Sequence, residues 1–92
     1  MQRKEGHPVL YQNIPNPFDQ TTTIEAYLPE NTTSAELYIF NMQGIQLKKV
    51  AFTQTGKAEI LVNASELQAG MYLYTLVVDG KEVDSKRMLL TD

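Results

Sequence analysis

The chain has 92 residues, of which 42% are hydrophobic, and carries a formal net charge of -3. A chain this short makes one small domain with one modest core, burying roughly 60 to 65% of the surface that its unfolded form exposes. The acidic balance, with no basic cluster longer than a pair (Arg3-Lys4, Lys48-Lys49, Lys86-Arg87), argues against a nucleic-acid binder. The absence of cysteine excludes disulfides, thiolate metal sites and a cysteine nucleophile, and leaves the compartment open. No apolar run approaches the roughly 20 residues that span a bilayer. The opening MQRKEGHP is polar throughout and holds no secretory signal. The chain is therefore expected to be soluble, or to be a piece of a longer protein whose export signal lies elsewhere, with Met1 an artificial start.

Period-two alternation dominates the rest and no window shows convincing helical spacing. Residues 1–8 form a polar leader, and a short strand is expected from Val9 to Tyr11. The run QNIPNPF (Gln12 to Phe18) follows. Each proline lacks a backbone donor and restricts its predecessor, which suits neither a helix nor a central strand. A stiff, polyproline-like crossing from one sheet to the other is expected, with Phe18 plugging an open end of the fold. Asn13 and Asn16 are placed to pair backbone groups that no ladder satisfies.

TTTIEAYL puts Ile24, Ala26 and Leu28 on one face, and AELYIF does the same for Ala35, Leu37 and Ile39. Between them, PENTTS is loop chemistry. Gln43-Gly44 marks a tight turn into IQLKKVAF, where Ile45 and Leu47 lose phase with Val50 and Phe52, predicting a bulge near Lys48-Lys49. After TQTG, KAEILV aligns Ala58, Ile60 and Val62. MYLYTLVV is apolar on both faces, as a central strand should be. Asp79-Gly80 is the strongest short hairpin signal in the chain. The last strand, KEVDSKRMLL, is amphipathic and charged, which suits an edge. About seven short strands with turn signals roughly every ten residues predict an immunoglobulin-like antiparallel β-sandwich spanning residues 9–92. Within ELQAGMY, Leu67 and Gly70 precede Tyr72 with the spacing of a tyrosine corner, in which the phenol bonds back to nearby backbone; an ordinary core aromatic is the other reading.

Chemistry-bearing residues are sparse. The single histidine, His7, lies in the leader, so no histidine-based triad or metal cluster can form inside the domain. The carboxylates are scattered as on a solvated surface, and no loop spaces several acids as a calcium site requires. No cofactor is expected. Tyr38 and Phe40 face outward if Leu37 and Ile39 face the core, and Tyr27 shares their parity. Such a patch could bind a sugar or a partner, or could be cross-strand packing on the outer face.

Four fragments in order, LYQNIPNPFDQTTTIEAYLPE, LYIFNMQGIQL, LQAGMYLYTLVVDGK and KRMLL, resemble the C-terminal sorting domain of the type IX secretion system, type A, of Bacteroidetes-type bacteria. The resemblance runs from about Val9 to Leu90. It implies a non-catalytic export signal recognised as a folded domain, handled by an outer-membrane translocon, a shuttle barrel and a sortase that cuts just before the domain. The cargo then reaches the cell surface or the medium by way of the periplasm and outer membrane. The family pattern falls on Asn13, Pro15, Asn16, Pro17, Phe18, Gly44, Gly70, Tyr72, Gly80, Lys86, Arg87 and Met88. Gln43 stands where the family commonly has Asn or Asp, which should weaken that turn. Partner recognition is expected on Lys86, Arg87 and Met88 of an open edge strand, on the Asp79-Gly80 turn and on the Asn13-Phe18 corner. Gly44, Leu67, Gly70 and Tyr72 take structural roles. The isolated domain is expected to be a monomer that neither enters the membrane nor binds nucleic acid. The alternative is a fibronectin-like adhesion or carbohydrate-binding module.

Overall fold

The computed structural model describes residues 6–92, so most of the leader lies outside the described residues. Over the described residues the fold is all-β, with seven strands: β1 (Val9–Leu10), β2 (Thr21–Leu28), β3 (Ala35–Asn41), β4 (Gln46–Ala51), β5 (Gly56–Asn63), β6 (Gly70–Val78) and β7 (Lys81–Leu90). They form two antiparallel sheets, one ordered β1-β2-β5 and the other β4-β3-β6-β7.

Alternation sends Ile24, Ala26 and Leu28 of β2, Leu37 and Ile39 of β3, and Ala58, Ile60 and Val62 of β5 into the space between the sheets. Tyr72, Tyr74, Leu76 and Val78 of the central strand β6 and Met88 and Leu90 of β7 complete the core. Each large aliphatic side chain buried there contributes about 1.5 to 3 kcal/mol relative to leaving it in water.

The turns show how local chemistry sets the pairing. Asp79 and Gly80 both have positive φ (51° and 82°), the signature of a type I′ turn, whose twist matches that of the flanking strands. Between β3 and β4 the carboxamide Oδ1 of Asn41 accepts from the N–H groups of Gln43 (3.0 Å) and Ile45 (2.9 Å), while Gly44 takes the left-handed conformation at φ 85°. The expected weakness at Gln43 is thus offset by Asn41, two residues earlier. The bulge expected near Lys48-Lys49 lies one residue earlier, at Leu47. Ile39 pairs with Lys48 and Phe40 with Gln46, which leaves Leu47 as the extra residue.

The proline segment departs from the expected one-way crossing. Ile14 bridges Thr23 of β2, the chain bends through Pro15–Pro17, and Phe18 bridges Leu90 of β7 in the other sheet before β2 begins. Because β1 and β2 share a sheet, the segment is an excursion that leaves it, touches the opposite sheet and returns. The Ile14-Pro15 and Asn16-Pro17 bonds are both cis.

Candidate functional site

The corner is built around a buried polar cluster. Asn13 is 1% exposed, and its Nδ2 donates to the Pro15 carbonyl and to Thr22 Oγ1, both at 3.0 Å. The Thr22 hydroxyl donates in turn to the Pro15 carbonyl (2.7 Å). Tyr74 closes the cluster from β6: its hydroxyl donates to the Tyr11 carbonyl (2.9 Å) and accepts from the Asn13 N–H (2.7 Å). Burial pushes the Tyr74 phenol up to about 12, against the Asn13 N–H that favours the anion, and the negative charge of Asp84 adds to the rise. Gln12 Nε2 donates to Asn13 Oδ1 (2.8 Å), so no buried side-chain polar atom of the cluster is left unpaired, which is what permits it to lie in the core.

Four further contacts fasten the corner to β7. Phe18 N–H donates to the Leu89 carbonyl (2.9 Å) and Thr91 N–H to the Phe18 carbonyl (2.8 Å). Asn16 Oδ1 accepts from Leu89 N–H (2.9 Å), and Gln12 Nε2 donates to the Arg87 carbonyl (2.6 Å). The Phe18 side chain is buried in the core at 2% exposure, while Pro15, Asn16 and Pro17 remain on the surface. The last strand is the sheet edge that its charge pattern predicts, but that edge is not open along its whole length. Around Leu89 and at the Arg87 carbonyl it is already paired, by residues 12–18 of the same chain.

The basic pair is split. Strand alternation places Lys86 on the side of Met88 and Leu90, opposite Tyr74, and Arg87 on the outer face opposite Leu73. Lys86 is half-buried and lies 3.6 Å from Asp84, whereas Arg87 is exposed. Met88 is fully buried.

Asp79 has an internal task as well. Its Oδ1 accepts from Thr33 N–H (2.9 Å), Thr33 Oγ1 (2.6 Å) and Ser34 N–H (2.9 Å), tying the β2–β3 loop to the β6–β7 turn. The Thr33 hydroxyl first, then the Ser34 and Thr33 amides, hold its carboxyl below the ordinary value. Gly80 follows it in the exposed turn. At the other end of the molecule the Tyr72 hydroxyl donates to the Gln68 carbonyl and accepts from Gln68 N–H (3.1 Å), which is tyrosine-corner geometry, with Leu67 packed on the core beneath. Gly70, at φ 150°, starts β6.

The outer aromatics fall into two places. Tyr38 and Phe40 stand nearly parallel on β3, with ring centroids 6.2 Å apart, and the Lys49 ammonium lies 5.7 Å from the Tyr38 centroid. Tyr27 is not their neighbour: β2 belongs to the other sheet, so equal parity puts it on the opposite outer surface. Sequence reading missed Tyr74 and Thr22 as parts of the corner. A tyrosine on the core parity of the central strand was the available signal, since a buried phenol needs a polar partner. Among the described residues no three metal-ligating side chains come together.

These features define a small antiparallel sandwich whose last strand is locked to a proline corner near its start. The family profile described as "Secretion system C-terminal sorting domain" matches residues 13–90, from that corner to the end of β7. The chain belongs to this family, the C-terminal sorting domains of type IX secretion, whose role implies export to the cell surface or the medium. Among solved structures the chain is similar to one titled "Biofilm associated protein - BSP domain", with TM-score 0.64 and 10% identity. The match covers 91% of this chain and 15% of that one, and is a likeness of fold. No curated relative matches.

Proposed function

We propose that the domain is a non-catalytic address read in its folded state by the type IX machinery, and that residues 1–8 are what remains of the linker before it. In this reading the outer-membrane translocon and shuttle barrel recognise the sandwich, and a sortase cuts the chain just ahead of β1. The observation that carries it is the family match across residues 13–90, which takes in both partners of the corner–β7 lock. The lock supports reading in the folded state, because Asn16, Phe18 and Leu89 come together only when the sandwich has closed.

The candidate recognition surface is the exposed part of this region: Pro15, Asn16 and Pro17, the Arg87 side chain, and Lys86 where it reaches solvent beside Asp84. Asp79 and Gly80 form a second candidate at the far end. Asn13, Phe18 and Met88 are buried and act by holding that surface in shape.

A reporter carrying the domain at its C-terminus, expressed in a bacterium with the secretion system, should reach the surface or the medium. It should stay inside the cell envelope when the system is deleted. Substituting Lys86 and Arg87 by Ser should cost the fold less than about 0.5 kcal/mol at Arg87 and somewhat more at half-buried Lys86. It should lower export while the domain stays folded, with the thermal midpoint down by only a few degrees. Normal export of that variant would move recognition to Pro15–Pro17 or to the Asp79-Gly80 turn. The adhesion or carbohydrate-binding reading rests on the Tyr38–Phe40 pair, and the Lys49 ammonium beside Tyr38 favours packing over an open sugar platform. A domain that bound glycans but left the reporter inside would establish that second reading.

A further inference from the structure

The two edges of the four-stranded sheet are in different states. On β7 four of the outward-facing backbone groups have partners within the chain: Leu89 N–H with Asn16, the Leu89 carbonyl with Phe18, the Arg87 carbonyl with Gln12, and Ser85 N–H with Asp84; the Arg87 N–H and the Ser85 carbonyl, which face the same way, have none among the described residues. On β4 the register sets which groups face out. Phe52 N–H donates to the Ala35 carbonyl (2.9 Å), so that pair is hydrogen-bonded. In an antiparallel ladder bonded and non-bonded pairs alternate. Hence Leu37–Val50 and Ile39–Lys48 are bonded, whereas Glu36–Ala51 and Tyr38–Lys49 are not. The N–H and C=O groups of Lys49 and Ala51 therefore point away from the sheet, and among the described residues nothing pairs with them.

Side chains along this edge add specificity. Ile45 is 58% exposed and Leu47 42%, both large apolar groups left in water at the start of the strand. Leu47 also lines a cleft of about 690 Å³ with Met42, Leu67 and Met71, beside the Lys48–Glu66 ion pair. Next along the strand come Lys48 and Lys49, whose own carboxylate partners, Glu66 and Glu36, are partly exposed and hold them weakly.

We infer that β4 is a strand-addition site for an extended segment of another polypeptide, running antiparallel, that sets acidic residues against Lys48 and Lys49 and apolar residues against Leu47 and Ile45. Main-chain bonds at Lys49 and Ala51 supply affinity, and the cleft and lysines select the partner. A second copy of β4 does not fit, because antiparallel self-pairing about Lys48 and Lys49 opposes lysine to lysine, which is destabilising. The β5 edge also lacks a neighbour in its sheet, but Lys57 and Glu59 pair with each other there at 3.8 Å and present no single sign of charge.

The test uses two capped heptapeptides, Thr-Val-Glu-Glu-Val-Thr-Val and its counterpart with Lys-Lys at the centre, titrated into the isotope-labelled domain and followed by amide NMR. The acidic peptide should shift amides centred on Lys48–Ala51 and slow their exchange. The basic peptide should bind roughly tenfold more weakly, since two cross-strand charge pairs turn from attractive to repulsive. Lys49→Pro, which removes an outward donor and leaves the β3 ladder bonds in place, should abolish binding at an unchanged thermal midpoint. If that variant unfolds, Lys48→Glu with Lys49→Glu keeps the test decisive, because it must reverse the preference between the peptides. Equal binding of both peptides, shifts centred on β5 or β7, or no binding at millimolar peptide would overturn the inference. That the partner belongs to the export machinery rests on the proposed function and has its own readout. Loss of peptide binding with normal reporter export separates β4 from export, whereas failure of the wild-type reporter to be exported overturns the proposed function and leaves the peptide result standing.

Discussion

The two flanks of this sandwich are finished differently. Along the β1/β7 flank, residues 12–18 fold back over the gap between the sheets, bury Phe18 and Asn13, and pair with the outward backbone of β7. Along the β4/β5 flank both terminal strands lack a neighbour within their sheets among the described residues, and Ile45 and Leu47 are exposed. An unpaired edge invites any extended chain, and proteins commonly blunt such edges with charge. Here one flank is closed by the chain itself and the other is guarded by charged side chains, Lys48 and Lys49 on β4 and Lys57 and Glu59 on β5. The stability of the domain should therefore lie with the first flank, and its freedom to take a partner with the second.

Four substitutions can break or sharpen this contrast. The largest effect is expected at Phe18→Ala, which should cost about 3 to 5 kcal/mol, as for other buried aromatics. A denaturant midpoint equivalent to less than about 1 kcal/mol of loss would show that the corner does not hold the closed flank.

Next is Tyr74→Phe. It leaves the Asn13 N–H and the Tyr11 carbonyl without their hydroxyl partner and should cost about 1 to 3 kcal/mol. The same side chain sets an alkaline limit. Its folded pKa, about 12, lies above the unfolded value of 10.0, so its contribution is complete below about pH 10 and is lost as pH rises toward 12. That component amounts to about 2 to 3 kcal/mol for a shift of this size. It should vanish from the unfolding curves of the Phe variant. A parallel alkaline loss in both proteins would assign the effect to other groups.

A smaller change is expected from Asn16→Ala, which frees the exposed Leu89 N–H to bond water instead and should cost about 0.5 to 1.5 kcal/mol. Amide exchange at Leu89 should quicken while the β3–β6 ladder stays protected. Smallest of all, Leu47→Thr on the open flank should move stability by no more than about 0.5 kcal/mol, because that side chain is exposed and lies outside the core. A loss as large as that at Phe18 would mean that the cleft beside Leu47 is part of the core, and the contrast between the flanks would fail.

What the sequence determined by itself was everything governed by neighbours within about four residues. Alternation placed Ile24, Leu37, Ile60 and Val62 inward because strand side chains change face at every residue. The Asp79-Gly80 pair specified its turn because both positions need positive φ. The order of QNIPNPF, GMY and KRMLL carried the family. Tertiary structure alone decided which strands share a sheet, and so separated Tyr27 from Tyr38 despite their equal parity. It also split Lys86 from Arg87 across two faces, gave Tyr74 its place beneath the corner, and brought Asn16 and Phe18 onto Leu89, more than seventy residues away. No local pattern encodes that last meeting. Which backbone groups of an edge remain free depends on where a distant segment comes to rest, and that is settled only when both sheets have closed on one core.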